Sequence, residues 1–458
     1  VAYCMEPAYL LLPPNKCGKD VSLLTDTIGP CTSLTELTLM KSNTCRSSAC
    51  DPLVASGHLN GWIVLWSIIV GKGRSRRHWL GHPAAQVTSL QVWPRQACDV
   101  LVSHGRDGWI RFWCIDEASI DAKLSGVPSQ ALSEVRTCSF RFCGTCLWPA
   151  DALRPERYYL AHVCQLDGGE ADGDGCIEAI QLPESTISVS YCYRSSDQVS
   201  TVASENRHEL GMCMSIQGMP NFASTYPELR HKCVFLAGFE VGHILQIADG
   251  EMLTRLDHVL GGPLPVMSIA VHQLSSVSSS SSLLLAVGGP QQLDEPSDRD
   301  AVDLVFLCLL LDRAAKSFRL EPVSRRGTAR VGHAGAGVAS LAWRPDGRLV
   351  SVGQWDGRIR LVEVFCDETT TTCHRYRYRC LGWLAGLGSL FGAGQLLGEW
   401  AASSPGVRSR TSVVDQQSAS VRACLFTRVS NWLVTSAPAS SGASGGLLVW
   451  DVYRATAK

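Results

Sequence analysis

Four short segments contain residue types that perform chemistry in other proteins. Two cysteines in 143–146 (CGTC) have the spacing of a thiol–disulfide motif, and Ser444 in 442–446 (GASGG) fits the G-x-S-x-G pattern of a serine nucleophile. Carboxylates cluster in 167–175 (DGGEADGDG), as they do in cation-binding loops. Arginine alternates with tyrosine in 374–379 (HRYRYR), and a basic strand face backed by aromatic rings could contact RNA.

The residues around these segments favour a structural interpretation. Cys143 and Cys146 lie in an apolar run that is typical of a strand, without the βαβ pattern of a redox fold. Ser444 lies at a hairpin turn rather than at a strand-to-helix elbow. The acidic segment lacks the ligand spacing of an EF-hand, and no second CxxC or histidine pair occurs at zinc spacing. We therefore expect no catalytic residue, no cofactor and no metal site.

A turn-and-strand pattern recurs along the chain and predicts the elements that position these residues. Each copy has a polar residue, a glycine, any residue, an isoleucine and a large apolar residue three positions later. Asp-Gly and Asn-Gly between apolar runs are strong hairpin signals, because glycine accepts the positive φ of a tight turn. The clearest copies are 60–66, 107–113, 174–180 and 356–362. Each copy predicts a hairpin between two strands.

The segment 81–116, which contains one of these copies, resembles a WD40 repeat, the four-strand unit of a propeller blade. In that family a histidine, a serine, the turn aspartate and the closing tryptophan form a buried hydrogen-bonded tetrad. The resemblance assigns these roles to His82, Ser103, Asp107 and Trp113. A buried carboxylate needs donors, and an imidazole N–H supplies one while the hydroxyl and the indole N–H complete the chain. A catalytic His82 would need a nearby nucleophile or metal, so we favour the structural role.

The whole chain of 458 residues, 45% of them hydrophobic, is interpreted as a single all-β domain, 1–458, a seven-bladed WD40-type β-propeller. Strand-like residues 7–12 are predicted to form the outer strand of the seventh blade and so to close the ring. Stretches rich in Ser, Gly, Pro or charge predict long loop insertions, and a strand is expected at 283–287 inside the third of them. The predicted insertions are 119–133, 184–206, 275–300 and 384–417.

Charge and targeting features exclude several classes of function. The formal net charge of −1 provides no global attraction to nucleic acid or to anionic lipid. No apolar stretch is long enough to span a bilayer, and the first residues do not resemble a signal peptide. We therefore expect the 20 cysteines to be reduced thiols in a protein of the cytoplasm, the nucleus or both.

Some blades depart from the repeat pattern. The sixth retains His333 and Asp356 but has Val352 and Val362 where serine and tryptophan would complete a tetrad. The fourth and fifth lack the turn aspartate and the tryptophan. We expect such blades to depend on apolar packing.

The residue just before each turn aspartate is expected at the tip of the hairpin between the second and third strands, on the top face near the central opening. Arg106 and Trp355 occupy these positions, and Glu240 occupies the equivalent position before Val241-Gly242 in blade four. Arginine and tryptophan are frequent interface anchors, so these three residues are the candidate partner-binding face. The alternative is that Trp355 packs on a neighbouring blade.

Several stretches resemble one WD40 family, the G-protein-β-like proteins also called ASTRA-associated protein 1. They are 7–11 (PAYLL), 103–107 (SHGRD), 210–214 (LGMCM), 236–240 (LAGFE), 344–348 (RPDGR) and 354–360 (QWDGRIR). The resemblance implies a propeller without catalysis. It also implies an adaptor that acts with the TTT co-chaperone complex in the maturation of phosphatidylinositol-3-kinase-related kinases, in some lineages within the ASTRA assembly.

Other functions remain open from the sequence. One is a substrate receptor of a ubiquitin ligase or another WD40 scaffold, and a second is an RNA-binding propeller that uses the arginines of 374–379. An enzyme would use Ser444, or Cys143 and Cys146. We expect protein partners and no small-molecule substrate, no membrane and no nucleic acid.

Overall fold

The regular elements of the computed structural model are strands, and no helix in the described ranges is long and apolar enough to cross a membrane. Residues 3–5 and 9–11 form two short strands at the start, β1 (Tyr3–Met5) and β2 (Tyr9–Leu11). The structure describes residues 3–5, 9–11, 28–37, 52–68, 74–95, 98–116, 131–137, 143–151, 154–164, 175–184, 186–193, 210–219, 232–273, 283–290, 304–312, 317–322, 337–355, 357–366, 376–384, 420–428, 432–436, 446–450 and 452.

The next sixteen strands form four antiparallel sheets, each a consecutive run of four strands. Blade one is β3 (Cys31–Leu37), β4 (Leu53–His58), β5 (Trp62–Ser67) and β6 (Arg74–Leu80). Blade two is β7 (Val87–Pro94), β8 (Asp99–Gly105), β9 (Trp109–Ile115) and β10 (Ser133–Arg136). Blade three is β11 (Cys146–Asp151), β12 (Arg154–Cys164), β13 (Gly175–Leu182) and β14 (Thr186–Tyr193). Blade four is β15 (Cys213–Gly218), β16 (Val234–Phe239), β17 (Ile244–Ala248) and β18 (Glu251–Leu256).

Three further sheets complete the set of seven. Blade five is β19 (Ser268–Gln273), β20 (Leu283–Gly288), β21 (Leu304–Asp312) and β22 (Ser317–Pro322). Blade six is β23 (Val338–Trp343), β24 (Leu349–Gln354), β25 (Ile359–Cys366) and β26 (Tyr376–Leu384), with β1 added in parallel to β26. Blade seven is β27 (Cys424–Phe426), β28 (Leu433–Ser436) and β29 (Leu447–Trp450), with β2 antiparallel to β29.

The first strand of every sheet contacts the first strand of the next sheet, and β27 of blade seven contacts β3 of blade one. The contacts therefore close a ring of seven blades, with these strands innermost. The all-β, seven-bladed propeller predicted from the repeats is confirmed. The N-terminal β2 pairs Tyr9 with Val449, so the outer strand of blade seven comes from the opposite end of the chain.

The apolar core lies between neighbouring blades. The second strands β4, β8, β16, β20 and β24 are buried along their whole length, because both of their faces are covered. Hydroxyl groups on inner strands add hydrogen bonds to the next blade. The bonds run from Thr32 to the carbonyl of Val87, from Ser215 to that of Val266 and from Ser340 to that of Val421.

Tight turns between the second and third strands depend on glycine. Gly61 has φ +84° and Gly108 has φ +77°, a region that side-chain-bearing residues rarely adopt. A Cβ at Gly61 would also overlap the backbone oxygen of His82. The turn of blade one is therefore packed against the start of blade two.

The predicted loop insertion 184–206 is wrong in its first part, because it contains β14 (Thr186–Tyr193), the outer strand of blade three. Its serines suggested a loop, yet its apolar residues alternate with polar ones as a half-buried strand requires. The insertion 119–133 ends where β10 begins, and β20 lies within 275–300 at the strand expected there. The insertion 384–417 lies outside the described residues beyond Leu384.

Candidate functional site

The top face of the propeller is the face formed by the turns between the second and third strands. In four blades the first residue of this turn donates its backbone N–H to the carbonyl of the residue just before the innermost strand. These bonds are Leu59 to Pro30 at 2.9 Å, Arg106 to Gln86 at 2.9 Å, Glu240 to Met212 at 2.9 Å and Trp355 to Gly337 at 3.0 Å. We call Leu59, Arg106, Glu240 and Trp355 the rim residues, since the same bond places each beside an inner strand.

Sequence reasoning named three of the rim residues and missed Leu59. Leu59 is 37% exposed, which leaves an apolar group at the rim. The signal was present, because Leu59 precedes Asn60-Gly61 as Arg106 precedes Asp107-Gly108. Blade one has an asparagine where the tetrad pattern has the turn aspartate.

Trp355 is half-buried, and one side of its ring lies against the backbone of its own blade. A Cβ at Gly337 would lie 3.0 Å from Cε3 of Trp355 and 2.9 Å from Cα of Pro290 in blade five. Gly337 therefore lies between the ring and the neighbouring blade. Trp355 packs on Gly337 of blade six while part of the ring stays accessible to a partner.

Glu240 is exposed and its orientation is set by the backbone. Its Oε2 accepts the N–H of Met212 at 3.1 Å, so both its backbone and its carboxylate bind the residue before the inner strand. The half-buried Arg106 provides a positive charge at the equivalent position of blade two. The rim thus presents an apolar, a cationic, an anionic and an aromatic side chain on rigid turns.

The turn beside Arg106 is anchored by the four residues that the WD40 resemblance assigned to a tetrad. His82 Nδ1 lies 3.0 Å from Asp107 Oδ1, and His82 Nε2 lies 2.8 Å from Ser103 Oγ. Trp113 Nε1 donates to Ser103 Oγ at 2.8 Å. A carboxylate only accepts, so the contact with Asp107 is a hydrogen bond when Nδ1 carries the proton, and Arg111 Nη1 lies 2.7 Å from the same nitrogen. The structure therefore joins all four side chains in one hydrogen-bonded chain.

Electrostatic interactions keep these hydrogen-bonded side chains in one protonation state. Burial alone would raise the pKa of Asp107, but hydrogen bonds from His82 and Arg111 lower it to about 2. Arg111 Nη1 lies 2.6 Å from Asp107 Oδ2. Burial lowers the pKa of His82 despite the adjacent carboxylate. At neutral pH the carboxylate is ionised and the imidazole is neutral.

The hydrogen-bond order Ser103, His82, Asp107 is that of a serine-hydrolase triad, but the site cannot act as one. Ser103 has no exposed surface, and its oxygen already accepts the indole N–H. A substrate carbonyl has no approach to Ser103 Oγ. The chain of bonds therefore stabilises the blade and its turn.

Blade one contains a different version of this set of hydrogen bonds, which the sequence did not reveal. Trp66 Nε1 donates to Ser56 Oγ at 2.7 Å, and Ser56 Oγ lies 2.8 Å from His58 Nε2. The imidazole comes from the strand itself, and its Nδ1 donates to the carbonyl of Gly29 at 3.0 Å. Burial lowers the pKa of His58 to about 4, so this ring is also neutral.

We expected blade four to depend on apolar packing, but a charged contact in its turn also holds it together. His243 Nδ1 in its turn lies 2.9 Å from Oδ1 of Asp257, which follows β18, and Arg255 Nε donates to Asp257 at 2.6 Å. Burial opposes ionisation, yet the hydrogen bond and charge of Arg255 lower the pKa of Asp257. In blade two the histidine lies in the loop before the innermost strand and the aspartate in the turn, whereas in blade four the histidine lies at the turn and the aspartate in the loop after the outermost strand. A motif search in the order of blade two misses this pair.

The segments with other chemical candidates do not form reactive sites where they are described. Cys143 and Cys146 are buried, Cys146 Sγ accepts the N–H of Gly218 at 3.0 Å, and burial raises the pKa of Cys146 to about 11. A protonated, buried thiol is a poor nucleophile. Arg379 is paired with Glu363 across the strand. Ser444, His333, Asp356, most of the acidic segment 167–175 and the start of 374–379 lie outside the described residues.

One known family matches part of the chain. Its family model, described as the anaphase-promoting complex subunit 4 WD40 domain, matches residues 324–385. The match spans β23 to β26, the four antiparallel strands of blade six. This blade lacks the tetrad serine and tryptophan, so the match and the blade-two tetrad are independent observations. Together with the seven-bladed ring they support a WD40-repeat protein.

Proposed function

We propose that this protein is a non-catalytic scaffold that binds protein partners through the rim residues of its top face. The observation that carries the proposal is the shared backbone bond that places Leu59, Arg106, Glu240 and Trp355 at equivalent positions. WD40 propellers serve generally as protein-interaction scaffolds, which supports this class of function. A rigid rim favours binding because little ordering entropy is lost on association.

The chemistry of the rim suits a protein surface. Tryptophan and arginine are enriched among residues whose truncation costs 2 kcal/mol or more, about a 30-fold loss of affinity. Leu59 and Trp355 offer apolar contact, and Arg106 and Glu240 offer charges of opposite sign. A partner with a mixed apolar and charged patch fits this set better than a polyanion.

We further propose that the partner is the TTT co-chaperone complex, and that the scaffold acts in the maturation of phosphatidylinositol-3-kinase-related kinases. The support is the family resemblance of six short stretches, three of which contain a rim residue: 103–107 contains Arg106, 236–240 ends at Glu240, and 354–360 contains Trp355. An ASTRA-type assembly and a location in the cytoplasm, the nucleus or both belong to the same proposal.

The test is affinity purification of the tagged full chain from its own cells, followed by mass spectrometry. We expect TTT components with the wild type and their loss with the double variant Arg106→Ala and Trp355→Ala. The matched control is Phe365→Ala, a 40% exposed aromatic residue at the far end of β25 in blade six, away from the top face. Control and wild type should recover the same partners.

Other results would contradict the proposal in distinguishable ways. Recovery of ubiquitin-ligase subunits without TTT components would keep the scaffold and remove the co-chaperone assignment. Partners lost on ribonuclease treatment would support RNA binding instead. Full recovery of TTT components by the double variant would remove the rim as the binding site.

A further inference from the structure

Blade three carries a row of potential metal ligands on one face of its three outer strands. The sheet register pairs Cys164 with Cys176 and Cys176 with Cys192, and it pairs His162 with Glu178 two residues along. Residues two apart on a strand share a face, so these five side chains project from the same side. This is the side on which Leu160 of β12 and Ile180 of β13 pack against blade two.

The ligand atoms are close together. Those of Cys164, Cys176 and Glu178 lie within 4.8 Å of one another, and the Sγ atoms of Cys176 and Cys192 are 3.0 Å apart. All three cysteines are free thiols. Sulfur atoms around a tetrahedral Zn²⁺ with bonds of about 2.3 Å lie a little under 4 Å apart, so small side-chain rotations would bring the ligand atoms of Cys164, Cys176 and Glu178 to a common ion. Cys192 lies one strand further from Cys164 and is not part of this set.

A buried histidine provides independent support for a ligand here. The side chain of His162 is 2% exposed, and neither ring nitrogen has a hydrogen-bond partner among the described residues. Its Nε2 lies 3.8 Å from Glu178 Oε2, just beyond hydrogen-bond distance. Buried polar groups are nearly always paired, so an unpaired imidazole aimed at a carboxylate marks an incomplete arrangement.

We propose that Cys164, Cys176 and Glu178 bind one Zn²⁺ ion, and that His162 positions Glu178 by donating a hydrogen bond to its carboxylate. Thiolate ligands select zinc over calcium or magnesium, and a water would take the fourth position of its tetrahedral geometry. Second-sphere partners of this kind orient a ligating carboxylate. Binding converts two thiols to thiolates and releases two protons to solvent, while the carboxylate binds without a proton.

The ion would join β12 and β13 through ligands from both strands, and so would stabilise their pairing in blade three. Sequence spacing concealed the site because Cys164 and Cys176 are 12 residues apart. A zinc motif of neighbouring cysteines on one loop is absent, and the sheet register alone brings these ligands together.

The experiment titrates the purified, reduced, metal-free full chain with Co²⁺, which reports thiolate ligands by charge-transfer absorption and tetrahedral geometry by its visible bands. Zn²⁺ is then added in competition. We expect one equivalent of Co²⁺ with a thiolate signal that Zn²⁺ displaces. The signal should be lost in Cys176→Ser and retained in Cys98→Ser. Cys98 is a matched control, because its Sγ lies 3.1 Å from that of Cys114 without a carboxylate ligand.

Two further variants address folding and the role of His162. Glu178→Gln keeps the size of the side chain and should weaken Co²⁺ binding while circular dichroism stays unchanged. His162→Phe should weaken binding by about 10- to 100-fold without removing the thiolate signal, as expected of a positioning residue. No thiolate signal in the wild type, or a signal that persists in folded Cys176→Ser, would overturn the proposal.

Discussion

Blades two and six place the same kinds of strands in the same register, yet they fill the site behind the top-face turn differently. In blade two Ser103 pairs across the strands with Arg111, and Leu101 with Trp113. In blade six the corresponding pairs are Val352 with Arg360 and Val350 with Val362. Blade two thus has a hydrogen-bonded chain where blade six has buried valines.

The rim geometry is the same in both blades. Arg106 and Trp355 make the same backbone bond to the residue before the inner strand. The position of a rim residue therefore depends on the turn and on the strand register, while the tetrad contributes stability. Loss of the tetrad in evolution would leave the binding position in place.

The difference in chemistry predicts a difference in sensitivity. A polar chain in a buried site must be complete, since each unpaired member costs its desolvation free energy. A valine-filled site loses only the transfer and cavity terms of the atoms removed. Substitutions in blade two should therefore be the more destabilising.

The largest effect is expected from Trp113→Ala. This change removes a buried indole that contacts Trp79 and leaves Ser103 without its donor, so the cost should be about 3–5 kcal/mol. Val362→Ala in blade six should cost about 2 kcal/mol, for two methyl groups. The urea midpoint measures both, with the half-exposed Trp109→Ala as control on the same strand. Equal losses for Trp113 and Val362 would remove the distinction between the blades.

The next effect is a loss of stability in acid through His58. Burial lowers its pKa from 6.5 to about 4, so the unfolded chain binds a proton more readily than the folded chain. This contribution is present above pH 6.5 and is lost as pH falls towards 4, by roughly 3 kcal/mol. Blade six has no titrating group at Val352 or Val362.

Unfolding midpoints from pH 7 to pH 4 measure this effect. The His58→Gln variant should be less stable than the wild type at pH 7 but should show a shallower decline below pH 6.5. If its decline is as steep as that of the wild type, the acid sensitivity arises elsewhere and the blade-one chain is not its source.

The smallest effects are expected from exchanging the residue types at position 103 of blade two and the equivalent position 352 of blade six. Ser103→Val leaves His82 Nε2 and Trp113 Nε1 without partners and should cost about 1–3 kcal/mol. Val352→Ser buries a hydroxyl in an apolar site and should cost a similar amount. The urea midpoints of both variants test this, and a neutral Ser103→Val would show that the chain contributes no net stability.

The sequence predicts those parts of the fold that local patterns encode. Asp107-Gly108 and the three other clear copies of its pattern specify hairpins, and the apolar strand runs between and after them complete the order of seven blades. The segment 81–116 contains every member of its tetrad, so a single repeat is sufficient to assign them. Trp355 is found at the rim because it directly precedes a turn aspartate.

Features that depend on contacts between distant residues were missed. His58 replaces a histidine from the preceding loop, and its acceptor is the carbonyl of Gly29, which no side-chain motif records. His243 lies at a turn and Asp257 follows the outer strand of the same blade, an arrangement that the usual motif does not contain. The thiols of Cys164 and Cys192 approach Cys176 only because three strands align. In each case the register, which follows from global packing, determines the contact.

The affinity of purified TTT complex for this protein tests the central claim most directly, because it separates the binding position from the stability of the blade. We expect Trp355→Ala to weaken binding by about 30-fold with an unchanged urea midpoint, as for an interface anchor. The control Phe365→Ala should bind like the wild type. Equal affinities for wild type and folded Trp355→Ala would contradict the assignment of the rim as the partner-binding site.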